Sequence, residues 1–125
     1  MKVLIIDDES DIRLIARLSL ARVGGMDVIE ADCGAEGVRL AQEERPDAIL
    51  LDMMMPVMDG PATLASLRSN ARTAGIPIVF LTAKAMSEEI DRLKTMGARG
   101  VLTKPFDPMT LPAKLLEILE GPAGS

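Results

Sequence analysis

Residues 48–60 read Ala48-Ile49-Leu50-Leu51-Asp52-Met53-Met54-Met55-Pro56-Val57-Met58-Asp59-Gly60. Four apolar residues run without interruption into one acid, Asp52, and then into a loop. The run is too short for a helix and does not alternate apolar with polar. It reads as a strand buried on both faces, the kind found inside a parallel sheet. The stretch closes on Asp59-Gly60-Pro61, a helix start with Asp59 as N-cap and proline in the first turn.

The same unit recurs on either side. Apolar runs lie at residues 3–6, 76–81 and 101–102, with a weaker one at 28–31. Helical patterns fill the gaps at residues 11–23, 35–44, 60–70, 87–96 and 110–119. Gly24-Gly25, Pro46 and Gly97 stop three of them, and Ser87 is the expected N-cap of the fourth. In the first helix Ile12, Ile15, Ala16, Ser19 and Val23 are expected to face the core, with Leu14, Leu18 and Ala21 as a second stripe. Five strand–helix units in succession imply an α/β fold. Right-handed crossovers place helices on both sides of one parallel sheet, whose ligands bind beyond the carboxyl ends of the strands.

Composition narrows the function. The 125 residues fit one domain, and 48% hydrophobic content is enough to give it a core. A net charge of −5 disfavours direct nucleic-acid or anionic-membrane binding. No apolar run approaches the ~20 residues that span a bilayer. There is no histidine, so phosphohistidine or His general-base chemistry on this chain is excluded. One cysteine, Cys33, leaves no intrachain disulfide, which fits a cytoplasmic setting.

The polar residues at the strand ends carry the chemistry. Asp7 and Asp8 follow the first strand, Asp52 the third, Thr82 the fourth and Lys104 the fifth. All five converge on one sheet edge. A lone acid there is ordinarily a turn or cap, and Asp11, Asp59 and Asp107 are read that way. Three together repel: at ~5 Å and an effective dielectric of ~20, each pair costs about 3 kcal/mol. Such a cluster calls for a cation. Met53, Met54, Met55 and Met58 have no Cys or His beside them and read as loop filling, not a soft-metal site.

Four strings carry a family resemblance: Ile5-Ile6-Asp7-Asp8-Glu9, residues 51–60, Leu81-Thr82-Ala83 and Thr103-Lys104-Pro105-Phe106. In this order they closely resemble the response-regulator receiver domain over residues 2–119. The resemblance implies a single (βα)5 doubly wound sheet, flavodoxin-like, in strand order 2-1-3-4-5, with residues 1–120 as the receiver domain and 121–125 as a tail. It implies that Asp52 accepts a phosphoryl group from a histidine kinase or histidine phosphotransfer protein. Mg²⁺ (or Mn²⁺ in its place) would be held by Asp8, Asp52 and the Met54 backbone carbonyl, with Asp7 acting through water. Lys104 would pair with the acceptor, and Thr82 would bond a phosphoryl oxygen. A cis peptide before Pro105 is also implied. The output would be a downstream protein or an output domain outside these residues.

Two other classes fit less well. A phosphatase with an aspartyl-phosphate intermediate has an acid two residues after its nucleophile, where this chain has Met54. A nucleotide- or flavin-binding module needs a glycine-rich first loop, where Asp7-Asp8-Glu9 would repel phosphate. One departure from the resemblance concerns output. Three residues before Lys104, where the family commonly has Tyr or Phe, this chain has Val101, which cannot vacate and refill a ring-sized space.

Overall fold

The computed structural model describes residues 1–83 and 86–121. The expected tail therefore lies outside the described residues except for Gly121, as does residue 84 after the fourth strand.

Five strands, β1 (Lys2–Ile6), β2 (Asp27–Ala31), β3 (Ala48–Asp52), β4 (Ile78–Thr82) and β5 (Gly100–Thr103), alternate with five helices. These are α1 (Ser10–Leu18), α2 (Gly34–Glu44), α3 (Gly60–Arg68), α4 (Ser87–Thr95) and α5 (Leu111–Glu120). All strand pairs are parallel, in the order β2-β1-β3-β4-β5. β3 and β4 are buried along their whole length, which is why their sequences are apolar without alternation.

Alternate strand residues feed two cores. Leu4, Ile6, Ile49, Leu51 and Phe80 pack with Ala41 of α2, Leu64 and Leu67 of α3 and Leu93 of α4. Val3, Ile5, Leu50, Val79 and Leu81 pack on the other face with Ala16, Leu20, Leu111 and Leu115. Met53 and Met55 belong to the first core, so the methionine run does fill space there. Among the described residues no helix is long and apolar enough to cross a membrane.

The first helix departs from the expected pattern. Residues 19–23 form a π-helical turn that continues α1. The wider turn displaces the periodicity counted at 3.6 residues only beyond its start at Ser19, which accounts for Val23. Ala16 and Ser19 are buried as expected, but Leu20 joins the core while Ile15 and Val23 are 41% and 47% exposed. The buried Ser19 hydroxyl donates to the Pro108 carbonyl and ties this turn to the start of α5. A second difference is at α4, where Ser87 is the first helical residue and Met86 the cap position. Asp11 lies inside the first turn of α1, with Glu9 at the cap. Asp59 caps α3 as expected, its Oδ1 accepting from Ala62 N at 2.9 Å.

Candidate functional site

Parallel pairing sets the depth of each side chain at the sheet edge. Asp52 is the last residue of β3 and pairs with Leu81, so Thr82 sits one step further out on β4 and pairs with Thr103 of β5. Lys104 follows at once, and its backbone N–H donates to the Thr82 carbonyl at 2.8 Å. On the other side Asp7 leaves β1, its N–H donating to Ala31 O at 3.1 Å. The Lys104–Pro105 peptide is cis.

Gly60 closes the loop after Asp52. Its N–H donates to Met53 O at 3.0 Å. A Cβ there would lie 2.6 Å from the Asp52 carbonyl and 2.9 Å from Met53 Cα. Those are backbone atoms, so only glycine lets α3 start this close to the end of β3.

Three acids surround one ammonium. Lys104 Nζ lies 3.0 Å from Asp52 Oδ1, 3.2 Å from Asp7 Oδ2 and 3.3 Å from Glu9 Oε1. The Asp7 and Asp52 side chains are only 1% and 3% exposed, while Glu9 is 59% exposed. Asp52 Oδ1 also accepts from Met54 N at 3.4 Å, a weak bond. Asp7 Oδ1 accepts from Glu9 N at 2.9 Å. Asp8 is exposed. Thr82 is nearly buried at 7% exposure, and Met54 projects its side chain outward at 78%.

The electrostatics follow from burial. Desolvation, reinforced by the charge of Asp7, pushes the Asp52 carboxyl up to about 6, against the Lys104 hydrogen bond and charge, which lower it. Burial pulls the Lys104 ammonium down, but the hydrogen bond to Asp52 and the charges of Asp7 and Asp52 outweigh it and leave it raised. The lysine therefore stays protonated across the physiological range.

Carboxylate oxygens of Asp7, Asp8, Glu9 and Asp52 all lie within 4.8 Å of one another. One lysine cannot balance four carboxylates. Among the described residues the buried Oδ2 of Asp52 has no hydrogen-bond partner, a costly condition for a carboxylate oxygen. The donor set is oxygen throughout, which suits a hard divalent cation of the Mg²⁺ class. Cys33 lies elsewhere, exposed at the cap of α2. The residues present therefore fit such an ion.

All the sequence-predicted residues, Asp7, Asp8, Asp52, Met54, Thr82 and Lys104, lie at this edge, and the structure adds others. Glu9 stood in the motif without a role, and its side chain reaches Lys104. Arg13 carries no sequence signal of its role: its Nη1 donates to the Asp7 carbonyl at 2.8 Å. Neither a six-residue separation nor a basic side chain on a helix distinguishes it in the sequence.

Comparison with known proteins places this geometry. The family described as response regulator receiver domain matches residues 3–116. The protein PilH of Pseudomonas aeruginosa is 35% identical over 96% of this chain and 98% of its own length. The alkaline phosphatase synthesis transcriptional regulatory protein PhoP of Bacillus subtilis is 39% identical over 94% of this chain, but over only 48% of its own length. Among solved structures, the chemotaxis response regulator CheY4 of Vibrio cholerae superposes with a TM-score of 0.86 at 36% identity, covering 94% of this chain and 97% of that one.

Proposed function

Because the chain belongs to the response regulator receiver domain family, we propose that Asp52 is its phosphoacceptor, with residues 1–120 forming the receiver unit. The observation that carries this reading is the condition of the Asp52 carboxylate. It is 3% exposed, with one oxygen 3.0 Å from Lys104 and the other without a hydrogen-bond partner among the described residues. A carboxylate held by one oxygen keeps the other available as nucleophile or ligand.

The donor is a phosphohistidine on a histidine kinase or phosphotransfer protein, since this chain has no histidine of its own. An Asp52 oxygen attacks phosphorus. A P–O bond forms, the donor P–N bond breaks, and the imidazole leaves with the electron pair and takes a proton from water. Asp8, Asp52 and the Met54 backbone carbonyl would hold Mg²⁺, with Asp7 behind a water. When bound, that ion neutralises charge on the transferring oxygens. Lys104 stays charged and turns from the carboxylate to a phosphoryl oxygen. The Thr82 hydroxyl bonds another.

Receiver domains are signalling switches, and autophosphorylation with slow self-dephosphorylation is the only catalysis this reading asks of the chain. The output is a protein surface elsewhere in the cytoplasm or an attached domain. Transcriptional regulation is named for PhoP, of which this chain covers only 48%. A second reading, a relay in which Asp52 passes phosphate onward with little conformational output, is compatible with Val101. That residue lies half-buried beside a cleft of about 330 Å³ lined also by Ile90, Lys94, Arg99 and Ile118, with no ring to turn inward.

The test is incubation with a small acyl phosphate, with and without Mg²⁺, followed by intact mass. A gain of one phosphoryl group that needs Mg²⁺ and then decays slowly supports the switch. Continuous release of inorganic phosphate over many turnovers would make it a phosphatase.

A further inference from the structure

We infer that Arg13 is a positioning residue for the cation-binding acids, and that Glu30 is the counter-ion that allows a guanidinium to stand there. This rests on the reading of Asp8 and Asp52 as ligands of a divalent cation. The turn at residues 7–9 is tied at several points. Asp7 N donates to Ala31 O at 3.1 Å, and Asp7 Oδ1 accepts from Glu9 N at 2.9 Å. Arg13 supplies two more ties. Its Nη1 donates to Asp7 O at 2.8 Å, and its own N–H donates to Glu9 O at 3.0 Å. Among the described residues nothing holds the Asp8 carboxylate itself. The direction in which Asp8 leaves the chain is therefore set by this turn, and the Arg13 guanidinium is the only side chain from α1 that closes it.

A guanidinium here carries a cost, because its charge opposes the binding of another cation. Glu30 offsets it. Arg13 Nε lies 3.4 Å from Glu30 Oε1, and the second oxygen of Glu30 lies 3.0 Å from Arg17 Nε. Glu30 is fixed in β2, in register with Ile5 of β1, so this carboxylate stands beside the acid turn without belonging to it. The guanidinium reaches the carbonyl through Nη1 and Glu30 through Nε, a span that one ammonium cannot cover.

Positioning and charge make opposite predictions, which allows a decisive test. The probe is Mg²⁺ alone, titrated as the chloride into the protein with its affinity read by calorimetry, alongside melting curves. If Arg13 acts only as a charge, Arg13→Gln removes a like charge and Mg²⁺ binds more tightly. If Arg13 orients the turn, Arg13→Gln weakens Mg²⁺ by roughly tenfold, the low end of what partners that orient metal ligands contribute. Arg13→Lys, which keeps the charge, weakens it in the same direction. Glu30→Gln weakens it less, by exposing the guanidinium. Tighter binding by Arg13→Gln, or unchanged binding with only a lower melting temperature, overturns the inference. Wild-type protein that binds no Mg²⁺ overturns the underlying metal reading and the inference with it.

Discussion

Replacing Asp52 with asparagine and melting the metal-free protein across the acid range probes the cost of keeping this carboxylate buried. The folded-state carboxyl is pushed up to about 6 from an ordinary 3.8. The native state therefore binds more protons than the unfolded state between those values, and stability rises as pH falls through that window. Above about pH 7 the full penalty applies, about 3 kcal/mol before screening. The site opens to water at its rim, where Asp8 and Glu9 are exposed, so about half of that is expected to survive. Lowering the pH from about 7.5 to about 5 should then stabilise wild-type protein by about 1 kcal/mol, or about 3–5 °C in melting temperature. Lys104 stays charged throughout and adds no slope. Asp52→Asn should melt higher than wild type near pH 7.5 and lose most of the gain on acidification. Circular dichroism melts without metal, in a chelating buffer, provide the assay. A variant that melts lower at neutral pH and keeps the wild-type slope would refute the argument, because it would mean that the Lys104 pair outweighs desolvation.

Three further outcomes follow from the same geometry. Gly60→Ala drives a Cβ into the Asp52 carbonyl at 2.6 Å, so it should cost about 1–3 kcal/mol in chemical denaturation and also slow phosphorylation, because the clash is with the acceptor's own backbone. Met54 offers no strong hydrogen bond to orient an attacking water and is 78% exposed, so Met54→Asn should shorten the lifetime of the phosphorylated state several-fold; equal or slower decay, followed by loss of the incorporated phosphoryl group, would contradict this. With Val101 in place of a ring, amide shifts on adding a phosphoryl mimic and Mg²⁺ should spread along residues 86–96; shifts confined to the neighbours of Asp8, Asp52, Thr82 and Lys104 would favour the relay.

The legible parts of this molecule are those fixed by local rules. β3 and β4 announced themselves because burial on both faces removes every polar residue from a short run. The site was legible because parallel strands deliver their carboxyl ends to one edge, so Asp7, Asp52, Thr82 and Lys104 had to meet once the strand order was known. The packing of the first helix was not legible. A 3.6-residue count assigns Ile15 and Val23 to the core, but Ile15 is exposed within the regular helix, whose buried face runs through Ala16 to Leu20, and Val23 is left exposed by the π-helical turn at residues 19–23. That turn is anchored by Ser19 on Pro108, a contact 89 residues away in the chain that no local pattern encodes. The role of Arg13 is not legible either, since its partner is a backbone carbonyl, an atom every residue has.

The central claim is that Asp52 itself carries the phosphoryl group, and chemical trapping of the site tests it most directly. An acyl phosphate on an aspartate is reduced by borohydride to the alcohol, which converts that residue to homoserine. Protein phosphorylated by a small acyl phosphate with Mg²⁺, reduced and then digested should yield homoserine at position 52, and none when Mg²⁺ is withheld. Homoserine at position 7, 8 or 59 with Asp52 intact, or phosphate recovered on a hydroxyl such as that of Thr82, would contradict the account.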